Sequence, residues 1–437
     1  MTMEFAANGG TEEYPAGTTT GRYLVLFEQG AAEAGIAALS DATGARRVAA
    51  TDDVADPEPN EALFFEELGV AVVDTNPEQM RQAGVEAASA GILAVEPERV
   101  NEAIEWLPGG QEDVTAGARS AEYLQGYREA VLHLTAPVAG ELVEAAASAA
   151  AVDESQATWG LQAVRAVHSS FGGEGIGVAV LDTGCDLKHP DFAGRAITSR
   201  SFVPGEAVQD GNGHGTHCIG TSMGLKKPST GPRYGVAYGA EIYAGKVLSN
   251  AGSGSDSQIL GGIEWAVRSK CAVISMSLGA PAGPGQSFSR VFEAVAARAQ
   301  KAGTLIIAAA GNDSDRPSAA RPVSHPANCP SIMAVAALDS SLKVARFSNR
   351  GINPSGGQVD IAAPGVDVYS SYPMATRYRR LNGTSMATPH VAGVAALFAQ
   401  ANPGARGAAL GQLLTTRARR LALLSSADVG AGLVQAP

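Results

Sequence analysis

Short apolar runs separated by helical stretches make up the carboxyl-terminal two thirds of the chain. Six runs are apolar enough to predict buried strands: 176–184, 240–248, 272–279, 303–312, 331–338 and 359–365. Three stretches with helical spacing predict helices: 256–270, 289–303 and 385–403. Strands that alternate with helices predict an α/β domain with a doubly wound, mostly parallel sheet. The functional site of such a sheet lies at the carboxyl ends of its strands.

The amino-terminal part has shorter elements and predicts a separate, small α/β unit. RYLVLFE (22–28), the apolar material of 62–75 and ILAVEPE (92–98) predict four strands, while 31–43 and 77–89 predict two helices. The pattern divides the chain into four parts: a disordered tail (1–20), a small domain (21–100), a helical connector (101–156) and a large domain (157–437).

Composition excludes several classes of protein. Of the 437 residues, 45% are hydrophobic and 17% are charged, so a sizeable core is expected and a wholly disordered chain is excluded. No apolar run approaches the roughly 18 residues of a membrane helix, so no membrane span is expected. The first residues lack the basic and apolar regions of a Sec signal peptide, which predicts a cytoplasmic protein or export by another route.

The charge is distributed unevenly along the chain. The net charge of −12 argues against a nucleic-acid partner. Residues 1–152 carry 26 acidic and 7 basic side chains, a net charge of −19, whereas the remainder carries 18 acidic and 25 basic side chains, a net charge of +7. Two explanations for this difference are open: drift in composition along the chain, or two parts of opposite charge that attract each other.

The four cysteines lie in the basic part of the chain. Their spacings fit neither a zinc site nor a dense disulfide framework, so we expect buried free thiols, with one disulfide as an alternative. The residues concerned are Cys185, Cys218, Cys271 and Cys329.

Three segments supply the side chains that acyl transfer requires. VAVLDTG places Asp182 at a strand end, DGNGHGTHC places His214 in a glycine-flanked turn, and NGTSMATPH places Ser385 at the start of a helix. A serine hydroxyl needs an imidazole to take its proton, and a buried carboxylate fixes the imidazole tautomer. Metal binding by HGTH is disfavoured because a third ligand is missing, so His217 is expected to be structural. His390, in the helix after Ser385, is expected to be a packed structural histidine.

These segments resemble the Asp, His and Ser blocks of the subtilisin-like serine proteases, in the order found in that family. The resemblance covers about 157–402 and implies that Asp182 orients His214, the general base, and that Ser385 is the nucleophile. Asn312, in IIAAAGN, matches the oxyanion-hole asparagine. The family holds a polypeptide substrate as an extended strand between two enzyme segments. The implied function is a serine endopeptidase; a non-catalytic or permanently inhibited binding protein of the same fold is the alternative.

The resemblance also implies a set of substrate-binding residues. The two segments that flank the substrate are Ser277-Leu278-Gly279 and Ser253-Gly254-Ser255. The pocket for the residue before the cut bond (P1) is formed by Ala309, Ala310, Gly311 and the region of Ser324 and His325. Asp313 falls near the rim of that pocket, and Asp256 falls at the subsite for the fourth residue before the cut bond (P4). The two acids indicate tolerance for basic substrates; solvated surface acids are the alternative.

The chemistry needs no cofactor, but a structural calcium is possible. Asp191 matches a calcium ligand of many family members, whereas Lys226 and Lys227 in the neighbouring loop would repel a dication.

The small domain resembles the family's ferredoxin-like propeptide, which acts as an inhibitor. It is an expected intramolecular partner because its acidity complements the basic remainder. About 50 residues separate ILAVEPERV from TWGLQAV (158–164), so the processing site falls either near the end of that strand or near 151–156.

Overall fold

The computed structural model describes residues 18–49, 61–75, 91–104 and 152–437. The predicted tail up to residue 17, the predicted helix at 77–89 and the connector between 105 and 151 lie outside the described residues. The division into four parts therefore stays a prediction.

The N-terminal sheet is mainly antiparallel. Its strands are β1 (Thr19–Phe27), β2 (Arg46–Ala49), β3 (Glu61–Phe65), β4 (Val70–Val73) and β5 (Ile92–Ala103), and one helix, α1 (Ala32–Thr43), accompanies them. The order β5-β1-β4-β3 is antiparallel throughout, and β2 adds to β3 in parallel. These small strand and helix elements are consistent with the predicted propeptide-like domain. The short, charged strand β2 was absent from the prediction.

The remaining elements alternate strands and helices. The strands are β6 (Gly177–Asp182), β7 (Ile197–Ser201), β8 (Glu241–Lys246), β9 (Ser253–Ser255), β10 (Val273–Met276), β11 (Leu278–Gly279), β12 (Leu305–Ala309), β13 (Met333–Leu338), β14 (Ile361–Pro364), β15 (Val368–Ser371) and β16 (Tyr378–Leu381). The helices are α2 (Trp159–Ala163), α3 (His214–Met223), α4 (Asp256–Arg268), α5 (Arg290–Lys301), α6 (Thr384–Ala401), α7 (Ala408–Arg417) and α8 (Ser426–Val429).

Seven strands form one parallel sheet in the order β14-β13-β12-β10-β6-β8-β7. Every residue of β10, β12 and β13 is buried, as expected where helices cover both faces of a parallel sheet. Helices α3 and α6 pack against each other at its centre. The predicted doubly wound α/β fold is confirmed.

The order of the strands brings distant parts of the chain to one edge of the sheet. Asp182 ends β6, and Asn312 follows β12 by three residues, so both lie at carboxyl ends of parallel strands. The N-terminal sheet packs on α4 and α5, and β5 extends from it to pair with β9 and β11. The N-terminal sheet is therefore extended by two short strands of the larger part of the chain, β9 and β11.

Two expectations from composition can be compared with the described residues. All four cysteines are buried and free, which confirms the prediction of buried thiols. Within the described ranges, no helix combines the length and apolarity needed to cross a bilayer.

Candidate active site

Asp182 and His214 form a buried pair. The Nδ1 atom of His214 lies 2.8 Å from Oδ1 of Asp182, and both side chains are about 1% exposed. Burial disfavours the charged imidazolium, but the charge and the hydrogen bond of Asp182 outweigh burial and raise the pKa of His214 well above its usual range. The carboxylate therefore both orients the ring and stabilises its protonated form.

A turn held by Asp210 sets the position of His214. His214 is the first residue of α3, a correction to the prediction of a turn, and Gly213 precedes it with φ +111°. A Cβ atom at Gly213 would lie 2.4 Å from the ring of Tyr372. Asp210 is buried and accepts the amide N–H groups of Gly213 and Thr216 at 2.8 and 2.9 Å. Sequence analysis missed Asp210, although DGNG is a typical turn sequence.

Ser385 and Asn312 meet at the start of α6. Oδ1 of Asn312 accepts hydrogen bonds from the amide and the hydroxyl of Thr384, each at 2.9 Å. These two contacts fix the orientation of the amide, so Nδ2 is directed toward the Ile104 carbonyl. Thr384, which adjoins Ser385 in the sequence, is a positioning residue that the sequence analysis did not include.

The carbonyl of Ile104 lies where these groups converge. Ser385 Oγ is 2.5 Å from the Ile104 carbonyl oxygen, and Nδ2 of Asn312 donates to the same oxygen at 3.0 Å. Nε2 of His214 is buried and has no hydrogen-bond partner among the described residues, so it remains available as a base. The hydroxyl of Ser385 and the amide of Asn312 thus converge on a single peptide carbonyl.

The strand that delivers Ile104 lies between the two segments predicted to bind substrate. On one side, Leu278 and Gly279 pair with Ala103 and Glu102 of β5. On the other side, the residues of β9 pair antiparallel with β5: Ser253 with Glu102, Gly254 with Asn101 and Ser255 with Val100. The amide of Ile104 also donates to the carbonyl of Ser277 at 3.3 Å. This strand addition is a common mode of peptide binding.

The predicted P1 pocket is polar at one end. Gly279 lines it, because a Cβ atom there would lie 3.0 Å from Cδ1 of Ile104. Ala309 ends β12, and the carbonyl of Ala310 accepts the amide of Ser324 at 2.9 Å. Gly311 has φ +108°, and a Cβ atom there would lie 2.3 Å from Ser324 Oγ.

Asp313 is bonded into the wall of this pocket. Its Oδ2 accepts hydrogen bonds from Asn349 at 2.7 Å and from Ser324 at 3.1 Å. Asp313 is nevertheless exposed, so both the role at the pocket rim and the alternative of a solvated acid stay open for it.

Asp256 and His325 lie beside the P4 position. If Ile104 is P1, then Asn101 is P4, and its Nδ2 donates to Oδ1 of Asp256 at 2.8 Å. Asp256 is completely buried while β5 is docked, so the alternative of a solvated surface acid does not hold for Asp256 in this state. The side chain of His325 was expected near P1, but its Nε2 lies 3.4 Å from Oδ1 of Asp256.

Two glutamates of β5 contact the N-termini of helices in the larger part of the chain. Glu96 accepts hydrogen bonds from Ser289 Oγ and the Arg290 amide, both at 2.6 Å, at the start of α5. Glu98 is fully buried and accepts the amide of Ser257 at 2.8 Å, at the start of α4. Carboxylates are favourable at helix N-termini because the free N–H groups carry positive partial charge. Both contacts hold β5 in the cleft.

The surroundings of Asp191 do not fit a calcium ion. Its carboxylate accepts the Ser229 amide at 2.8 Å and the hydroxyls of Tyr234 and Tyr378 at 2.7 and 2.9 Å. Hydrogen-bond donors thus occupy the places around the carboxylate oxygens that a calcium ion would take. Within the described residues, Asp191 belongs to no cluster of three potential metal ligands. These contacts do not support a calcium ion at Asp191, and the expectation of a calcium ligand there stays a prediction.

His217, His390 and Cys218 are held by contacts other than those of the Asp182–His214 pair or are not ionised. Nε2 of His217 lies 2.9 Å from the Val368 carbonyl, and burial lowers the pKa of His217 to about 3. Nδ1 of His390 lies 2.8 Å from the Met386 carbonyl, and burial lowers the pKa of His390 to about 4. Cys218 Sγ lies 3.9 Å from Nδ1 of His214, but burial raises the pKa of Cys218 to about 11, so it remains a thiol. Both histidines are structural, as predicted.

Comparison with known proteins relates the larger part of the chain to proteases. The Subtilase family matches residues 173–432. M-protease of Shouchella clausii is 48% identical over 249 residues, which are 56% of this chain and 60% of M-protease. Subtilisin Savinase of Lederbergia lenta is 45% identical over 282 residues, which are 64% of this chain and 96% of Savinase. Subtilisin E of Bacillus subtilis is 44% identical over 241 residues, covering 54% of this chain and 59% of that protein.

Proposed function

The chain belongs to the subtilase family, the subtilisin-like serine proteases, and on that premise we propose that it is an endopeptidase precursor that cuts itself after Ile104. The observation that carries this proposal is the position of the Ile104 carbonyl, 2.5 Å from Ser385 Oγ and 3.0 Å from Asn312 Nδ2. The peptide bond that joins Ile104 to Glu105 is therefore presented as a substrate.

The proposed reaction uses four side chains. Ser385 Oγ attacks the carbonyl carbon, and its proton passes to Nε2 of His214. Asp182 holds the ring through Nδ1 and stabilises the imidazolium. The carbonyl oxygen gains negative charge in the transition state, and Asn312 Nδ2, already 3.0 Å away, donates to it together with the amide of Ser385. His214 then returns the proton to the departing nitrogen, and water hydrolyses the acyl-enzyme.

The N-terminal domain acts as the inhibitor of the same site. We define it as the described residues from 18 to 104. Its strand β5 occupies the cleft from Val100 to Ile104, and Glu96 and Glu98 anchor it on α5 and α4. Polypeptide substrates of the released enzyme would bind along the same two edges. No cofactor takes part in this chemistry.

The test is to express the full chain and its Ser385→Ala variant side by side and to compare masses. We expect an N-terminal fragment ending at Ile104 in the wild type and an intact chain in the variant. Identical fragments in both samples would indicate a foreign protease. Intact wild-type protein would contradict self-processing and favour the alternative of a permanently inhibited binding protein. A cut near 151–156 would place the connector in the precursor segment.

A further inference from the structure

The position of P4 in the cleft is fixed by the register of β5. Counting back from Ile104, the fourth residue is Asn101, which lies opposite Gly254. The side chain of Asn101 is completely buried between the N-terminal domain and the rest of the chain. A buried amide N–H group is unfavourable without an acceptor, so the Nδ2 group of Asn101 needs a matching group.

The matching group is the carboxylate of Asp256. Oδ1 accepts Nδ2 of Asn101 at 2.8 Å, and Oδ2 accepts the backbone amide of Arg99 at 2.8 Å. Burial favours the neutral carboxyl, but hydrogen bonding from His325 and the charge of Arg99 outweigh burial and keep the pKa of Asp256 below its usual range. Asp256 is also the first residue of α4, where the helix dipole favours a negative charge. The ionised carboxylate can only accept hydrogen bonds.

His325 supports Asp256 from the other side. Its ring meets Phe292 edge to face at 4.7 Å, and Nε2 points toward Oδ1 of Asp256. Burial and the nearby charge of Arg99 lower the pKa of His325, which favours the neutral ring while the N-terminal domain is docked. In that state the guanidinium of Arg99 lies 3.9 Å from Oδ2 of Asp256. When the N-terminal domain leaves, both the Asn101 and the Arg99 donors leave with it.

We propose that Asp256, positioned by His325, makes the P4 subsite selective for side chains that donate hydrogen bonds: asparagine, lysine and arginine. This inference rests on the proposed function, because it assumes that substrates follow the path of β5. An apolar P4 residue would leave the buried carboxylate without its partner, and an acidic one would add a like charge. We therefore expect at least a tenfold preference for asparagine over leucine and a larger one over aspartate.

The direct test uses peptides that keep residues 102–104 of the chain and vary the residue before them. The series X-Glu-Ala-Ile-p-nitroanilide, with X as Asn, Lys, Leu, Asp or Ala, is hydrolysed by the enzyme obtained from the full chain. We expect kcat/KM to fall from Asn and Lys through Leu to Asp. In Asp256→Asn, the ratio between the Asn and Asp peptides should fall below about threefold. In the matched control Asp315→Asn, which removes an exposed acid paired with Arg346, the ratio should stay unchanged.

A flat profile, or a preference for leucine over asparagine, would overturn the proposal while leaving the protease function intact. If no peptide is hydrolysed more rapidly than by Ser385→Ala, the proposed function itself fails. The subsite is then tested without catalysis, in the full-length Ser385→Ala chain. There, Asn101→Asp should lower the melting temperature, and adding Asp256→Asn should restore most of the loss. Equal losses in both variants would refute the role of Asp256.

Discussion

Replacing Asn312 by alanine tests the central geometry of the site. Loss of an oxyanion-hole donor in a subtilisin lowers kcat by about 10²–10³-fold, or about 2.7–4 kcal/mol. Two features of the structure lead us to expect a loss of the same size in this chain. Nδ2 already lies 3.0 Å from the carbonyl oxygen that becomes charged, and Thr384 holds the amide through two 2.9 Å contacts, so no reorganisation is needed.

Self-processing is the most direct assay for this variant, because the bond to be cut is already bound and KM does not enter. Full-length chain is followed over time in cell-free translation, and the first-order rate of its disappearance is measured. We expect Asn312→Ala to process about 10²–10³-fold more slowly than wild type. Thr384→Val, which removes one of the two orienting contacts, should cause a smaller loss.

The control is Asn353→Ala, which removes a buried asparagine whose amide donates to the carbonyls of Gly283 and Gln286, away from the cleft. It should leave the processing rate unchanged even if it lowers stability. A rate for Asn312→Ala within threefold of wild type would refute the assignment of Asn312. So would an equal slowing in Asn312→Ala and Asn353→Ala, because folding rather than catalysis would then explain it.

Three further predictions concern pH and stability. Burial opposes protonation of His214, but the charge of Asp182 outweighs burial and raises the pKa of His214. We therefore expect kcat/KM to fall as pH is lowered, with a midpoint above about 6.5. A midpoint below about pH 6 would contradict this prediction. Burial raises the pKa of Glu264, which accepts the Glu67 amide at 2.9 Å, to about 7. Glu264 therefore takes up a proton when the N-terminal domain docks, so inhibition by the cleaved domain should weaken as pH rises from about 4.5 to 7. In peptide-hydrolysis assays, Glu264→Gln should abolish that pH dependence. Tyr378→Phe removes one donor to Asp191 and should lower the free energy of unfolding by about 1.5–3 kcal/mol in denaturant titrations, and recovery of the loss on adding calcium would argue for a metal at Asp191.

The core of the site could be predicted because its sequence signals are local. Asp182 ends an apolar strand, and Ser385 is the second residue of an apolar helix, so each position follows from a short segment. Strands with residues buried on both faces give the clearest patterns, which explains why the parallel sheet was predicted closely. By contrast, ITSRS in β7 is only partly buried and has no apolar pattern, and it was missed.

The contacts that depend on partners distant in sequence could not be predicted. Asp191 has the identity expected of a metal ligand, but two tyrosines more than 40 residues away supply its hydrogen bonds. The side chain of His325 was placed near P1 because its neighbours in sequence lie there, yet it turns toward Asp256. In both cases the residue type allows several roles, and only tertiary packing selects one.

The seating of β5 separates cutting from activation in time. The pairs between β5 and its two flanking strands all lie before the Ile104–Glu105 bond, as do the anchors at Glu96 and Glu98. Breaking that bond therefore removes none of the contacts that hold the strand in place. A freshly cut molecule would remain inactive, and the dissociation rate of the N-terminal domain would determine for how long. Because any molecule that opens first can digest the domains of its neighbours, activity in solution should rise after a lag that shortens with protein concentration.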